Sequence, residues 1–326
     1  MRPRHVALAW RTAVVALVLL PVVAVAQAPA RVMRVGFVTG ITPSVYIDAF
    51  RDGLRQHGWI EGQNLAFDFR TSDGGPEQLA RLAAEVLERK PDVVVLTPTS
   101  IYLARVVAAA APVVFQVAED PVRAGLVTSL ARPGGRATGV TSLNVELDAK
   151  RLELLKEALP RVTRVAVLTA VQDSAARERA TATEAAAKVL GLQVRFVNVS
   201  TVDDVPRAFD AVSRAQAGAV MIVGVAPLFQ HQVRIVEAAT KARLPLIAPW
   251  SEFADGGALM TYGTNIPAMS RQAAALTDRI LRGANPAETP VERATTFELV
   301  INRRTARALR IDIPASVTLR ADRVIE

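Results

Sequence analysis

Residues 92–97 read Asp-Val-Val-Val-Leu-Thr, a short apolar run that is typical of a strand buried on both faces. Before this run, residues 77–90 place apolar side chains at helical spacing, and a proline ends the pattern. After it, residues 101–111 are again helical in character and lead to another apolar run at 113–117. Buried strands that alternate with amphipathic helices predict a parallel sheet covered on both faces.

The same alternation extends over the rest of the chain. We predict about eleven strands, which suit two sheets of about five or six better than one sheet. The predicted fold class is therefore α/β, with two doubly wound parallel-sheet lobes. No low-complexity linker separates the halves, which favours lobes joined by several short crossings that form a hinge. The predicted strands are 32–39, 65–69, 92–97, 113–117, 138–141, 164–169, 193–199, 219–225, 245–248, 259–262 and 297–301.

Composition limits the class of protein. The chain has 326 residues, of which 51% are hydrophobic, and these values exclude intrinsic disorder and favour two domains. Because the sequence has no cysteine, we expect no disulfide, thiolate metal site, cysteine nucleophile or lipidated cysteine anchor. The net charge of +8 is spread along the chain as single arginines, so we expect no nucleic-acid partner.

The N-terminus has the order of a secretory signal peptide. Residues 1–11 carry three arginines and no acidic residue, an apolar run follows at 12–26, and Ala24-Val25-Ala26 forms a cleavage pattern. We expect cleavage after Ala26 and a mature protein in the periplasm. The alternative is an uncleaved anchor, although about fifteen apolar residues are short for a membrane-spanning helix of about twenty.

Catalytic and cofactor motifs are absent from the sequence. Three histidines occur, but no pair has metal-binding spacing, and there is no serine-nucleophile elbow or Walker-type phosphate loop. The glycine-rich residues 134–139 precede a predicted strand instead of opening a helix, so we interpret them as a turn. We therefore predict no enzyme activity, no cofactor and no metal site.

Polar residues follow several predicted strands of the first half, at the edge where parallel sheets bind ligands. Hydroxyl groups and free helix N–H groups there suit a carboxylate, whereas Asp120 suits an ammonium group. Together they predict a zwitterion such as an amino acid. The alternative is that these residues only cap helices, although one group can serve both purposes. The hydroxyl-bearing candidates are Thr42, Ser44, Thr97, Thr99 and Ser100.

Several long stretches resemble a known family. Residues 50–64, Phe-Arg-Asp-Gly-Leu-Arg-Gln-His-Gly-Trp-Ile-Glu-Gly-Gln-Asn, are similar to the family signature FRxGLRxLGWxEGxN. Residues 120–139 resemble its stretch DPVxxGLVxSLARPGGNxTG, and residues 150–157 and 297–302 also fit. The family is that of the ABC transporter substrate-binding proteins of the tryptophan/tyrosine-binding type, and the resemblance extends from about residue 34 to the end of the chain.

The resemblance implies a type I periplasmic-binding-protein fold, with two α/β lobes, three crossings and a ligand in the cleft, which closes on binding. After the signal peptide 1–26, lobe one is expected at 31–143 plus 252–284 and lobe two at 144–251 plus 285–326. The resemblance also implies an ABC permease and its ATPase as partners. The resemblance further implies an aromatic amino acid as one possible class of ligand, since several members of this broad family look like binders of aromatic amino acids.

The implied topology directs further candidate residues into the cleft. Gln172 and Asp173 lie where many members carry an Asn-Pro-type sequence. Trp250 lies at a crossing and Tyr262 ends a strand, so either could stack on an aromatic or apolar ligand. The alternative for Trp250 is packing at the hinge.

These observations predict the solute-binding component of an ABC importer. We expect a monomer that binds a small zwitterionic or carboxylate solute in the cleft and delivers it to the permease. One alternative is a sensor subunit whose closed state is read by a membrane receptor kinase. A less favoured alternative is an enzyme that uses the same cleft.

Overall fold

The computed structural model describes residues 31–40, 44–72, 75–97, 101–118, 120–142, 144–171 and 175–326. The part from Val32 to Glu326 forms one compact unit. The predicted signal peptide lies outside the described residues. Within them, no helix combines the length and the apolar character that a membrane crossing requires.

Strands and helices alternate along the described chain. The strands are β1 Met33–Thr39, β2 Leu65–Thr71, β3 Val93–Thr97, β4 Val113–Val117, β5 Ala137–Thr141, β6 Arg164–Thr169, β7 Gln193–Asn198, β8 Ala219–Ile222, β9 Leu246–Ala248, β10 Met260–Thr264, β11 Glu292–Arg293, β12 Phe297–Asn302 and β13 Arg323–Ile325. The helices are α1 Ser44–Gln56, α2 Gly75–Glu88, α3 Ile101–Ala108, α4 Asn144–Ala158, α5 Ala176–Val189, α6 Asp204–Arg214, α7 Ala226–Gln230, α8 Gln232–Lys241, α9 Ser251–Gly256, α10 Ile266–Leu281, α11 Arg303–Leu309 and α12 Ala315–Thr318.

The strands form two sheets, one in each lobe. The first sheet has the order β11-β5-β4-β3-β1-β2, and all its strand pairs are parallel. The second sheet has the order β13-β12-β10-β9-β8-β6-β7, and only the pair of β10 with β12 is antiparallel. The chain passes between the sheets after β5, after β10 and after β11. The predicted α/β class with two parallel-sheet lobes is therefore confirmed.

Strand pairing moves two segments across the expected lobe boundaries. The sequence placed 252–284 in lobe one, but β10 pairs with β9 and β12 in the second sheet. The sequence placed 285–326 in lobe two, but β11 pairs with β5 in the first sheet. The expected lobe was wrong for β10 and for β11, because the pairing partners within a sheet, and not the residues of the strand itself, decide to which sheet a strand belongs. Between these two strands, α10 packs on α1 in the first lobe. The other expected lobe boundaries stay a prediction.

The run in β3 is apolar throughout because its successive side chains enter two different cores. Val93 and Val95 belong to the cluster that α1 and α10 cover. Val94 and Leu96 point to the opposite face and pack with residues of α2 and α3. All four side chains are 0% exposed, and burying each one contributes about 1.5–3 kcal/mol. The third large cluster forms the core of the second lobe.

A glycine allows two segments of the second lobe to approach closely beside a crossing. A Cβ atom at Gly263 in β10 would lie 2.0 Å from the carbonyl oxygen of Pro249. No side chain fits at that distance, so only glycine permits β10 to lie against the residues that follow β9.

Candidate functional site

Two of the sequence-predicted hydroxyl-bearing candidates, Ser44 and Thr97, belong to the described residues. Thr97 ends β3, pairs in register with Thr39 and is 7% exposed, while its carbonyl oxygen accepts a hydrogen bond from the Gly40 amide at 3.3 Å. Ser44 is the first residue of α1. The remaining candidates lie outside the described residues, so their roles stay predictions; they are Thr42, Thr99, Ser100, Gln172 and Asp173.

Asp120 caps the turn that follows it. Its Oδ1 accepts hydrogen bonds from the amides of Val122 at 2.8 Å and Arg123 at 3.2 Å. This is the capping alternative, and it occupies one of the two carboxylate oxygens that the sequence assigned to an ammonium group.

The two predicted aromatic candidates do not lie together. Trp250 meets Phe229 edge-on at 5.1 Å between ring centroids and stacks on Phe253 at 5.9 Å, as the hinge-packing alternative expects. Tyr262 stacks on Phe297 at 6.3 Å, and its carbonyl oxygen accepts a hydrogen bond from another residue of the second lobe. Trp250 also lines a pocket at the junction of the lobes, whereas Tyr262 does not line that pocket.

The pocket at the junction, here called the hinge pocket, has a volume of about 370 Å³. Tyr46 of α1 contributes from the first lobe. The other residues come from Trp250 and α9 after β9, from the end of β10 and the start of α10, and from the strands β12 and β13. The residues of its wall that matter for its chemistry are Tyr46, Trp250, Glu252, Asp255, Thr264, Glu298 and Arg323. The pocket therefore combines residues that are more than 200 positions apart in sequence.

Acidic side chains dominate the hinge pocket. Three carboxylates against one guanidinium, that of Arg323, give a formal charge of −2. The Tyr46 hydroxyl donates a hydrogen bond to Oε1 of Glu252, and burial together with this negative charge raises the pKa of Tyr46. Burial also raises the pKa of Glu298, and the nearby Arg323 guanidinium partly offsets this rise in pKa. In the part of the chain that the structure describes, no three His, Cys, Asp or Glu side chains are arranged to hold a metal ion.

Sequence reasoning selected Trp250, and the implied topology placed the loop 249–252 near the cleft, but the other residues around this pocket were not selected. Glu252 follows β9 by a few residues, so the rule for carboxyl ends of parallel strands could have identified it. Thr264 ends β10, so the same rule could have identified it as well. Tyr46 carried no such signal, because its importance comes from meeting Glu252 across the junction. Glu298 lies on β12, which runs antiparallel to β10.

Two further contacts join the lobes away from the hinge pocket. The Gln230 side chain of α7 donates a hydrogen bond to the carbonyl oxygen of Gly40 at 3.2 Å. The guanidinium of Arg123, in the turn capped by Asp120, forms an ion pair with Glu178 of α5. The lobes are therefore in contact at the loops that follow β1 and β4 as well as at the junction.

A buried charge cluster formed by Asp148, Arg151 and Arg179 lies inside the second lobe. Asp148 pairs with both guanidinium groups, and the three residues are at most 2% exposed. Burial raises the pKa of Asp148, against the lowering effect of the two arginines. The Nε of Arg151 donates to the Tyr262 carbonyl oxygen at 2.7 Å, so the cluster fixes α4 and α5 to β10.

Comparison with known proteins identifies the family. Residues 36–325 match the family model described as ABC transporter substrate binding protein, which confirms the resemblance seen in the sequence. A curated relative, the tyrosine-binding protein of Clostridioides difficile, is 27% identical over 263 residues, which cover 80% of this chain and 75% of the relative.

Solved structures show the same fold. A conserved domain protein from Vibrio cholerae is 27% identical, with a TM-score of 0.82 over 90% of this chain and 100% of that one. An ABC domain from Streptococcus pneumonia in complex with L-Trp is 24% identical, with a TM-score of 0.82 over 90% of this chain and 99% of that one. A ligand-free, open substrate-binding protein from Clostridium difficile is 20% identical, with a TM-score of 0.68 over 90% and 99% of the two chains.

Proposed function

Because the chain belongs to the family of ABC transporter substrate-binding proteins, we propose that it holds an amino acid between its lobes and delivers it to an ABC permease. The observation that carries the proposal is the meeting of both lobes at one polar pocket, where Tyr46 of the first lobe bonds to Glu252 of the second. The similarity to a tyrosine-binding protein and to an ABC domain solved in complex with L-Trp supports an amino acid as the ligand.

The mechanism requires no bond-making step. A ligand that contacts both lobes binds the closed arrangement more tightly than the open one, so binding shifts the population toward closure. Free N–H groups and hydroxyls at the ends of β1 and β3, including those near Thr97, would hold the carboxylate. The permease and its ATPase would then respond to the closed shape. Delivery at the membrane requires export, for which the leader ending at Ala26 is the proposed signal.

A thermal-shift screen tests the ligand class. We expect one L-amino acid, with micromolar or better affinity, to raise the melting temperature of the protein. At a ligand concentration of about 100 times the dissociation constant, binding adds about 2.7 kcal/mol, which is a rise of several degrees. The D-enantiomer of the same amino acid is the matched control. A screen of all common amino acids and small organic acids that produces no rise would contradict the proposal.

A further inference from the structure

We propose that the hinge pocket binds an organic ammonium group, with Glu252 as its counter-ion and Thr264 as a second acceptor. The inference rests on the proposed function, because the α-ammonium group of an amino acid is one source of this chemistry. A free amine without a carboxylate is the other source, and the experiment below separates the two.

Glu252 has one carboxylate oxygen that is satisfied and one that is not. Its Oε1 accepts the hydrogen bond from Tyr46. Its Oε2 is buried and has no hydrogen-bond partner among the described residues. A buried carboxylate oxygen without a donor is costly, and this cost is removed when a ligand supplies a charged N–H group.

Thr264 supplies a second unsatisfied atom in the same pocket, independently of the acidic residues. The residue is only 8% exposed, and within the described chain its Oγ1 is buried without a partner. The neighbouring Asn265 side chain is already used, since its Oδ1 accepts from the Ala268 amide at 2.9 Å and caps α10. A hydroxyl and a carboxylate oxygen that both lack a partner are suited to a group with several N–H donors.

The charges of the pocket select a cation. Arg323 is engaged with Asp255 through two contacts of 2.7 and 3.1 Å, while its Nε lies 3.8 Å from Glu298. The Asp255 charge is thereby compensated, and those of Glu252 and Glu298 are largely not. A carboxylate ligand would be repelled here, whereas an ammonium group gains from both carboxylates.

The shape of the pocket favours an ammonium group attached to an organic body. The volume of about 370 Å³ exceeds what a bare ammonium ion fills, and Trp250 forms part of its wall. An aromatic face next to a cation adds attraction. The pocket also offers a better ammonium site than Asp120, whose Oδ1 is occupied by two backbone amides.

Calorimetric titration with three matched probes tests the inference. L-tyrosine carries both charged groups, 3-(4-hydroxyphenyl)propionate lacks the ammonium group, and tyramine lacks the carboxylate. We expect Glu252→Gln to weaken binding of the ammonium-bearing probes by about tenfold to a hundredfold, the size of a lost charge-assisted hydrogen bond. Binding of the propionate is expected to change by less than about threefold.

Two further variants keep the test independent of folding. Thr264→Val preserves the side-chain shape and is expected to weaken the ammonium-bearing probes by about threefold to tenfold without lowering the melting temperature of the free protein. Glu237→Gln is the control for charge, because Glu237 pairs with Arg234 on the exposed side of α8, away from the pocket. It is expected to leave all three affinities unchanged.

The outcomes separate this inference from the proposed function. Tyrosine binding that is unaffected by Glu252→Gln, or that falls equally with propionate binding, overturns the ammonium site but not the amino-acid ligand. Tyramine binding that depends on Glu252, in a protein that binds no amino acid, supports the ammonium site and overturns the proposed function. A wild-type protein that binds neither tyramine nor any amino acid overturns both.

Discussion

The buried charge cluster and the hinge pocket both hold several charged side chains in or beside the second lobe, yet they differ in how those charges are satisfied. In the cluster, Asp148 pairs with two guanidinium groups and the three residues are at most 2% exposed. In the hinge pocket, Glu252 and Thr264 present unsatisfied buried atoms to a volume of about 370 Å³. Buried charge therefore occurs both in the charge cluster, which stabilises the fold, and in the hinge pocket, which is a candidate binding site. The hinge pocket is distinguished by unpartnered polar atoms in residues that line a cavity.

Arg151 refines this distinction. Its Nη2 atom also lacks a hydrogen-bond partner among the described residues, and Arg151 is 0% exposed. The difference is that Glu252 and Thr264 belong to residues that line the hinge pocket, whereas Arg151 does not line it.

The largest effect is expected when the cluster loses its anion. Asp148→Asn would leave two buried guanidinium groups without a counter-charge, so we expect the free energy of unfolding to fall by about 3–5 kcal/mol. Urea denaturation of the free protein measures it, with Glu237→Gln as a control on the exposed surface. A loss below about 1 kcal/mol would show that the arginines escape to water and that the cluster is not a closed structural tie.

A smaller loss is expected for Arg151→Met. The pair of Asp148 with Arg179 remains, but the Tyr262 carbonyl oxygen loses its donor at 2.7 Å. We expect the free energy of unfolding to fall by about 2 kcal/mol, in the range of a hydrogen bond to a charged group. If this variant were less stable than Asp148→Asn, the charge balance would not be what holds the cluster together.

The hinge pocket is expected to respond in the opposite way. Thr264→Val removes a buried hydroxyl that has no partner among the described residues, so the stability of the ligand-free protein should stay within about 1 kcal/mol of wild type or rise. Thermal unfolding without ligand measures the change. A loss above about 2 kcal/mol would mean that this hydroxyl is satisfied within the protein and is not reserved for a ligand.

The smallest effect is expected at Asp204, a half-buried carboxylate that belongs to neither region. The hydrogen bond from Arg207, followed by those from the Thr201 and Ser200 amides, lowers the pKa of Asp204. Its stabilising effect should therefore be present above the unfolded-state pKa of about 3.9 and be lost as the pH falls further toward the lower folded-state value. Asp204→Asn should accordingly be slightly less stable than wild type near pH 7 and equal to it in strong acid. Denaturation curves at several pH values check this, and a difference that does not depend on pH would contradict it.

The sequence predicted the fold well because the fold depends on local patterns. The run in β3 identified a strand buried on both faces, and the structure sends its side chains into two cores. The short edge strands β11 and β13 were missed, since two or three residues carry no periodicity. The lobe of β10 was assigned wrongly because its pairing partners, not its own residues, decide it.

The candidate site was predicted less completely. Trp250 was expected at a crossing, and it does line the hinge pocket while packing on Phe229 and Phe253. The contact between Tyr46 and Glu252 joins residues 206 positions apart, and no local pattern announces it. From the sequence, Asp120 could either cap a helix or turn or contact a ligand. The structure shows that one of its carboxylate oxygens caps a turn.

The close approach at Gly263 restricts how this protein can adapt to a new solute. Any larger residue there would collide with the Pro249 carbonyl oxygen and force apart the segments that carry Trp250 and Thr264 on either side. Substitutions of the residues that line the hinge pocket can change its chemistry one at a time, but a substitution at Gly263 would also change the dimensions of the pocket. Backbone spacing at Gly263 therefore limits the dimensions of the hinge pocket independently of the side chains that line it.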